Sequence, residues 1–218
     1  HNSNVMYENL AVDATDHYAV LEWDEELDVD FKSLTASCPE AIAWIYFEKE
    51  DLSYPVCYSG DDEKYLVTGA DGQKAKAGAI FLEAANSPDF ADSHTIVYGH
   101  NMRNLSMFGK LKYYHQKEDY YEEHAFFQII TPNGKFRYQI FAYEDVAEDS
   151  FVYQVWKEPN ENFEAFIQQI YRKSQKDTEV IARSSDRIVT LSTCSTKGRR
   201  FVVHGVLVSE APAGEVSK

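Results

Sequence analysis

Long apolar runs are missing from this sequence. No stretch approaches the roughly 18–20 apolar residues that cross a bilayer as a helix, so no segment reads as a membrane span. Basic residues are also scarce: 21 Lys and Arg stand against 36 Asp and Glu, a formal charge of −15. That balance argues against nucleic acid or an anionic membrane surface as the main partner, because either would repel the chain. Cysteine is rarer still. Cys38, Cys57 and Cys194 are too few for a disulfide framework, and an odd number leaves at least one thiol free or intermolecular. There is no CxxC, and spacings of 19 and 137 residues match no zinc site. Internal repeats and low-complexity segments are absent. The sequence opens on HNSNVMYENL and not on Met, which predicts an upstream portion carrying an N-terminal anchor.

What is present fits one globular core with a helical appendage. Fifteen Tyr and thirteen Phe in 218 residues favour strands, since aromatic rings suit a pleated, half-buried surface. Residues 1–28 are acidic, ending in EWDEELDVD, and read as an N-terminal helix that covers another element. Asp30 begins a short helix, FKSLTASC, stopped by Pro39. AIAWIYFE (41–48), LSYPVCYS (52–59), GAIFLE (78–83) and HTIVYGH (94–100) read as strands, the second made irregular by Pro55. Ser106 is placed to cap a helix running MFGKLKYY, which QKEDYYEEH would extend by a turn or two. FFQIIT and KFRYQIFAYEDV flank PNG, a hairpin signal because Asn and Gly tolerate positive φ. NFEAFIQQIYRKS sets Phe163, Phe166, Ile167, Ile170 and Tyr171 on one helical face. RIVTLSTC (187–194) and RRFVVHGVLVSE (199–210) are strands joined by STKG. Strands that do not alternate with helices predict a mainly β barrel or sandwich with inserted helices, not a parallel βαβ sheet.

Among residues that carry chemistry, Cys194 is the most informative. It ends an apolar strand and opens a short turn, and Lys197, Arg199 and Arg200 follow within six residues. Cationic neighbours are what a thiol needs to become a thiolate near neutral pH. An inert core cysteine is the competing reading. His100 follows HTIVYG at another strand end, where a solvated surface histidine is the alternative. His1, His17, His115 and His124 lie in polar surroundings; His94 opens a strand, and His204 inside FVVHGVL reads as facing into a barrel. Arg199 and Arg200 point to opposite faces of their strand, so at most one shares a face with Cys194. Such an arginine would stabilise an oxyanion; otherwise it is a solvated edge residue. The acidic groups Asp61–Glu63 and Glu118, Asp119, Glu122 and Glu123 lack calcium-loop spacing and read as solvated.

Together these segments resemble one family. TLSTC (190–194) is similar to the sortase signature TLxTC, YGHNM (98–102) to its histidine segment, and RFVVHG (200–205) to its arginine strand. WIYFEKEDLSYPVCYSGDDEKYL and KAKAGAIFLEAANSPDF resemble further family segments. NMRNLSMFGKLKYY and the helix between 160 and 174 resemble class B. The resemblance covers residues 30–209 and divides the chain into a segment 1–29 and a catalytic domain 30–218.

It implies a closed eight-stranded barrel with N-terminal helices and a long helix inserted before the TLSTC strand. It further implies a cysteine transpeptidase without cofactor or metal, with Cys194 as nucleophile, His100 as acid/base and Arg200 as oxyanion support. Ser192, Thr193, Leu66, Phe151 and Val152 would line the substrate groove. Ser195 stands where some class B members carry an acid. The implied partners are a surface protein bearing an NPxTx- or LPxTG-like sorting signal and an amine, from a cell-wall precursor or a pilin lysine. The implied location is the outer face of a Gram-positive cell membrane. Two alternatives are a cysteine peptidase that hydrolyses the same signal and a non-catalytic adhesion module.

Overall fold

The structure, a computed structural model, describes Trp23, residues 27–194 and residues 197–213. The expected helix over 1–28 therefore falls almost wholly outside the described residues. The first described helix, α1 (Phe31–Ser37), starts as the sequence predicts. Asp30 caps it by accepting from the Ser33 amide at 3.1 Å and the Ser33 hydroxyl at 2.7 Å.

Eight strands follow: β1 (Ala41–Phe47), β2 (Ser53–Cys57), β3 (Ile80–Leu82), β4 (His94–Tyr98), β5 (Phe126–Thr131), β6 (Gly134–Ala147), β7 (Ile188–Cys194) and β8 (Arg199–Ala211). They close into a barrel in the order β1-β2-β3-β4-β7-β8-β6-β5, with β5 returning to β1. Neighbours are antiparallel except β2/β3 and β4/β7. A closed, mainly β architecture with inserted helices is what the resemblance implied. β3 and β4 are shorter than their apolar runs suggested, because each run continues into the loops that shape the cleft.

Alternation sets the two faces. In β1 every second residue is buried, and Ala43, Ile45 and Phe47 point inward. They meet Phe127, Ile129, Tyr138, Val97, Leu191, Phe201 and Val203 in the barrel interior, where Phe127 stacks between Phe47 (5.3 Å) and Tyr138 (5.2 Å). A second apolar layer lies outside the barrel. The long helix α4 (Glu161–Lys173) buries Phe163, Phe166, Ile167 and Ile170 against Ala142, Val146, Ile188, Val202 and Val206. Each of those four helical side chains stabilises the layer by about 1.5–3 kcal/mol on burial. The Asn160 side chain caps α4, accepting from Asn162 and Phe163 amides at 2.9 and 3.1 Å. His204 shares the face of Val202 and Val206. It therefore points outward beneath α4 and not into the barrel, correcting the expectation for it.

The helix expected from Ser106 is mostly absent. Only α2 (Tyr113–Gln116) and α3 (Tyr120–Glu123) are helical. Leu105 and Met107 adopt φ of 67° and 54°, which no α-helix tolerates. Tertiary bonds outcompete the helix there: the Met107 amide donates to the Tyr54 hydroxyl at 3.0 Å and the Phe108 amide to the His100 carbonyl at 3.0 Å. No described helix is long and apolar enough to cross a membrane.

Candidate active site

The parallel ladder between β4 and β7 pairs Tyr98 with Ser192, and the antiparallel ladder between β7 and β8 pairs Cys194 with Arg200. The Gly99 amide donates to the Ser192 carbonyl at 3.1 Å, so the β4 chain still follows β7 past its last ladder residue. Two residues beyond the Tyr98–Ser192 pair, His100 falls beside Cys194. Three chain positions, His100, Cys194 and Arg200, thus stand in one row across three adjacent strands.

Directly opposed residues in an antiparallel pair lie on one face of a sheet. That parity separates the two arginines. Arg200 shares its face with Cys194, whereas Arg199 belongs to the other face and is tied to Asp145, its Nε and Nη2 donating to Oδ1 at 2.6 Å and to the carbonyl at 2.7 Å. Arg200 keeps lighter ties: Nη2 lies 3.4 Å from Glu148 Oε2, and Nη1 donates to the Arg199 carbonyl at 3.1 Å.

An open pocket of about 180 Å³ lies over this row, lined by Asp62, Leu66, Phe81, Tyr98, Gly99, His100, Ser192, Thr193 and Arg200. Five of these, His100, Arg200, Leu66, Ser192 and Thr193, were singled out by sequence. Leu66 sits on a 3-10 turn (Lys64–Leu66), is 44% exposed, and forms a lip. Its carbonyl accepts a hydrogen bond from His100 Nε2 at 2.8 Å. A carbonyl only accepts, so the proton of a neutral His100 is on Nε2 and the lone pair on Nδ1. Gly78 makes this approach feasible. It takes φ of 59°, and a Cβ there would lie 2.1 Å from the Tyr65 carbonyl oxygen and 3.0 Å from His100 Cδ2.

Two expected wall residues are elsewhere. Val152 is fully buried beneath α4, and Phe151 packs edge-on against Phe166 at 5.7 Å, so neither lines the pocket. Both belong to a 3-10 turn (Phe151–Tyr153) whose third residue does the reaching. The Tyr153 hydroxyl lies 2.9 Å from Ser192 Oγ, and its ring stacks with Tyr98 at 6.2 Å. A three-residue turn rotates successive side chains by about a third of a circle, a detail no periodicity in the sequence displays.

Asp62, expected to be solvated, is instead a half-buried wall residue. Its Oδ1 accepts from the Ala84 amide at 2.7 Å. Burial, reinforced by the nearby Glu83 carboxylate, pushes its carboxyl up to about 6. Glu83 in turn accepts from the Tyr98 hydroxyl at 2.7 Å. Of the other two cysteines, Cys57 is sealed in the core and Cys38 is half-buried. Both Cys38 and Cys57 are free thiols, and burial pushes Cys57 up to about 12, far from the thiolate range. Among the described residues, no group of three or more His, Cys, Asp or Glu side chains converges as a metal site.

An eight-stranded barrel whose paired strand ends set a histidine, a cysteine and an arginine in one row defines a class of thiol enzyme. The comparisons name it. The sortase domain family model matches residues 48–208. Sortase B of Listeria monocytogenes is 30% identical over 215 residues, covering 96% of this chain and 86% of the relative. Sortase B of Staphylococcus aureus is 29% identical over 184 residues, covering 82% and 75%. The crystal structure of Clostridium perfringens sortase B superposes with a TM-score of 0.76 at 26% identity, covering 83% of this chain and all of the other. The chain belongs to the sortase family of cysteine transpeptidases, among the class B members.

Proposed function

We propose that this sortase cleaves a C-terminal sorting signal of the NPxTx or LPxTG kind after its threonine and joins the new carboxyl end to an amine. The reading rests on one observation above all: His100 and Arg200 line a single pocket, and the strand register sets Cys194 between them, paired with Arg200 on β8. Cys194 attacks the threonine carbonyl as a thiolate, forming a C–S bond and a tetrahedral oxyanion. Arg200 stabilises that oxyanion. Protonated His100 gives a proton from Nδ1 to the leaving amine as the C–N bond breaks, leaving a thioacyl enzyme. An incoming amine, from a cell-wall precursor or a pilin lysine, loses its proton to His100 and displaces the thiolate.

Leu66, Ser192 and Thr193 form the groove around the threonine. The catalytic unit spans 30–218, preceded by segment 1–29. The enzyme works on the outer face of a Gram-positive membrane, held by an N-terminal anchor.

The test is cleavage of a fluorogenic sorting peptide. Cys194→Ala is expected to abolish it, and unchanged turnover would refute the assignment. With a glycine oligomer added, mass spectrometry is expected to find the amide product. Acid alone would favour a hydrolytic peptidase.

A further inference from the structure

Four buried polar side chains lie under α4 on the same sheet face as the catalytic row, and the cleavage chemistry uses none of them. His94 on β4, Thr190 on β7 and His204 on β8 are completely buried, and Glu144 on β6 is 4% exposed. His94 Nδ1 lies 2.7 Å from the Gln154 carbonyl, His94 Nε2 lies 2.7 Å from Thr190 Oγ1, and Thr190 Oγ1 lies 2.8 Å from His204 Nδ1. His204 Nε2 then faces Glu144 Oε1 at 3.9 Å. Neither of these two atoms has another hydrogen-bond partner among the described residues.

The direction of every bond in this series follows from its first member. The Gln154 carbonyl only accepts, so His94 carries its proton on Nδ1. Burial holds His94 at about 4, so the ring is neutral and its Nε2 is a lone pair. Thr190 must donate its single proton there, and so accepts from His204 Nδ1–H. His204, held at about 3 by burial and by His94, is neutral too, which leaves a lone pair on Nε2. A carboxylate opposite it would set two acceptors face to face in a buried layer, which is unfavourable because neither lone pair is satisfied. Other charges do not remove the conflict. Lys173 from α4 and Arg199 from β8 favour an ionised Glu144, yet burial outweighs them and pushes its carboxyl up to about 7; Asp92 acts on His94 alone.

We propose that Glu144 is a neutral acid that donates its proton to His204 Nε2, closing a one-way hydrogen-bond chain that ends on the Gln154 carbonyl. A movement of about 1 Å brings the two atoms within bonding distance. The chain fastens the 3-10 turn of Tyr153 to β4 and runs beneath the strand that carries Ser192 and Cys194. Its members are positioning residues. That last consequence rests on the catalytic reading above; the location of the proton does not.

The location is tested on the unsubstituted protein. Long-range nitrogen–proton NMR spectra of histidine-labelled protein, taken more than one pH unit below the value of about 7 to which burial raises Glu144, are expected to show His204 protonated at Nδ1 with a hydrogen-bonded lone pair at Nε2. Infrared difference spectra are expected to show a protonated-carboxyl band that Glu144→Gln removes. A proton on Nε2 of His204, or no such band, would overturn the proposal. The positioning role has its own readout. Thr190→Val is expected to lower kcat about tenfold with KM within about twofold, and Thr190→Ser to restore it, since a serine hydroxyl remakes both bonds. An unchanged kcat in the valine variant would overturn that role. If instead Cys194→Ala still cleaves, the catalytic reading fails while the spectra retain their meaning.

Discussion

The two ends of the β7–β8 pair differ sharply although they share a face. At the Cys194–Arg200 end, the Arg200 side chain opens onto a pocket and is lightly tethered. At the Thr190–His204 end, four registers away, the side chains are sealed beneath α4 and bonded into a fixed series. Strand geometry is the same at both ends, so the cover decides the chemistry. Where the helix lies over the ladder, burial disfavours charge on His94, His204 and Glu144; where it stops, the ladder opens onto the pocket. The 3-10 turn Phe151–Tyr153 marks the border, with Val152 on the sealed side and Tyr153 touching Ser192.

The open end breaks most easily. Arg200→Ala is expected to lower kcat/KM by about 10²–10³, the range seen for loss of an oxyanion donor. Arg199→Ala, on the opposite face, should stay within a few-fold because an exposed ion pair is worth at most about 1 kcal/mol. Equal losses in the two variants would show that the face assignment is wrong. Gly78→Ala is next. A Cβ 2.1 Å from the Tyr65 carbonyl must displace the backbone that holds Leu66 and His100. The cost is about 1–3 kcal/mol of stability, read by denaturant melts, with cleavage lost in parallel.

The sealed end is probed by pH. The folded carboxyl of Glu144 titrates at about 7, above its ordinary 4.5. A raised acid binds its proton more tightly in the folded state, so stability is full below pH 4.5 and declines as pH climbs through 7. The decline approaches about 3 kcal/mol for this group. Glu144→Gln is expected to flatten that stretch of the melting-temperature profile, leaving the variant more stable than its parent near pH 8. The smallest effect belongs to Asp62→Asn at the open end. With the carboxyl at about 6, the variant should remove a shallow inflection between pH 5 and 7 in the KM of the sorting peptide. An unaltered profile would mean that the peptide does not meet this wall.

Much of the barrel was legible in the sequence, because strands with a dry interior face display their period directly: β1 alternates cleanly, and the apolar face of α4 recurs at helical spacing. Cys194, His100 and Arg200 were legible as strand-end residues inside family-like segments. The remainder depends on contacts between distant parts of the chain. The segment after Ser106 carries helix-forming residues, yet Tyr54 and the His100 backbone fold it otherwise. Asp62 resembles its exposed neighbours Asp61 and Glu63 until the Ala84 amide reaches it across 22 residues. The series Glu144, His204, Thr190, His94 draws on four strands, and only their register shows that a strand-opening histidine and a mid-strand histidine share one hydroxyl.

Closure of the barrel also governs how an elongated ligand is read. With β5 returned to β1, each of the eight described strands has a neighbour on both sides along at least part of its length. Many proteins grip extended peptides by letting them join a sheet as an extra strand, which rewards any backbone and leaves sequence to secondary pockets. Barrel closure leaves that route little room here. On the proposed function, selectivity then rests on side chains and loop carbonyls around the mouth, and the shape of the Leu66 lip becomes part of the vocabulary in which one peptide is told from another.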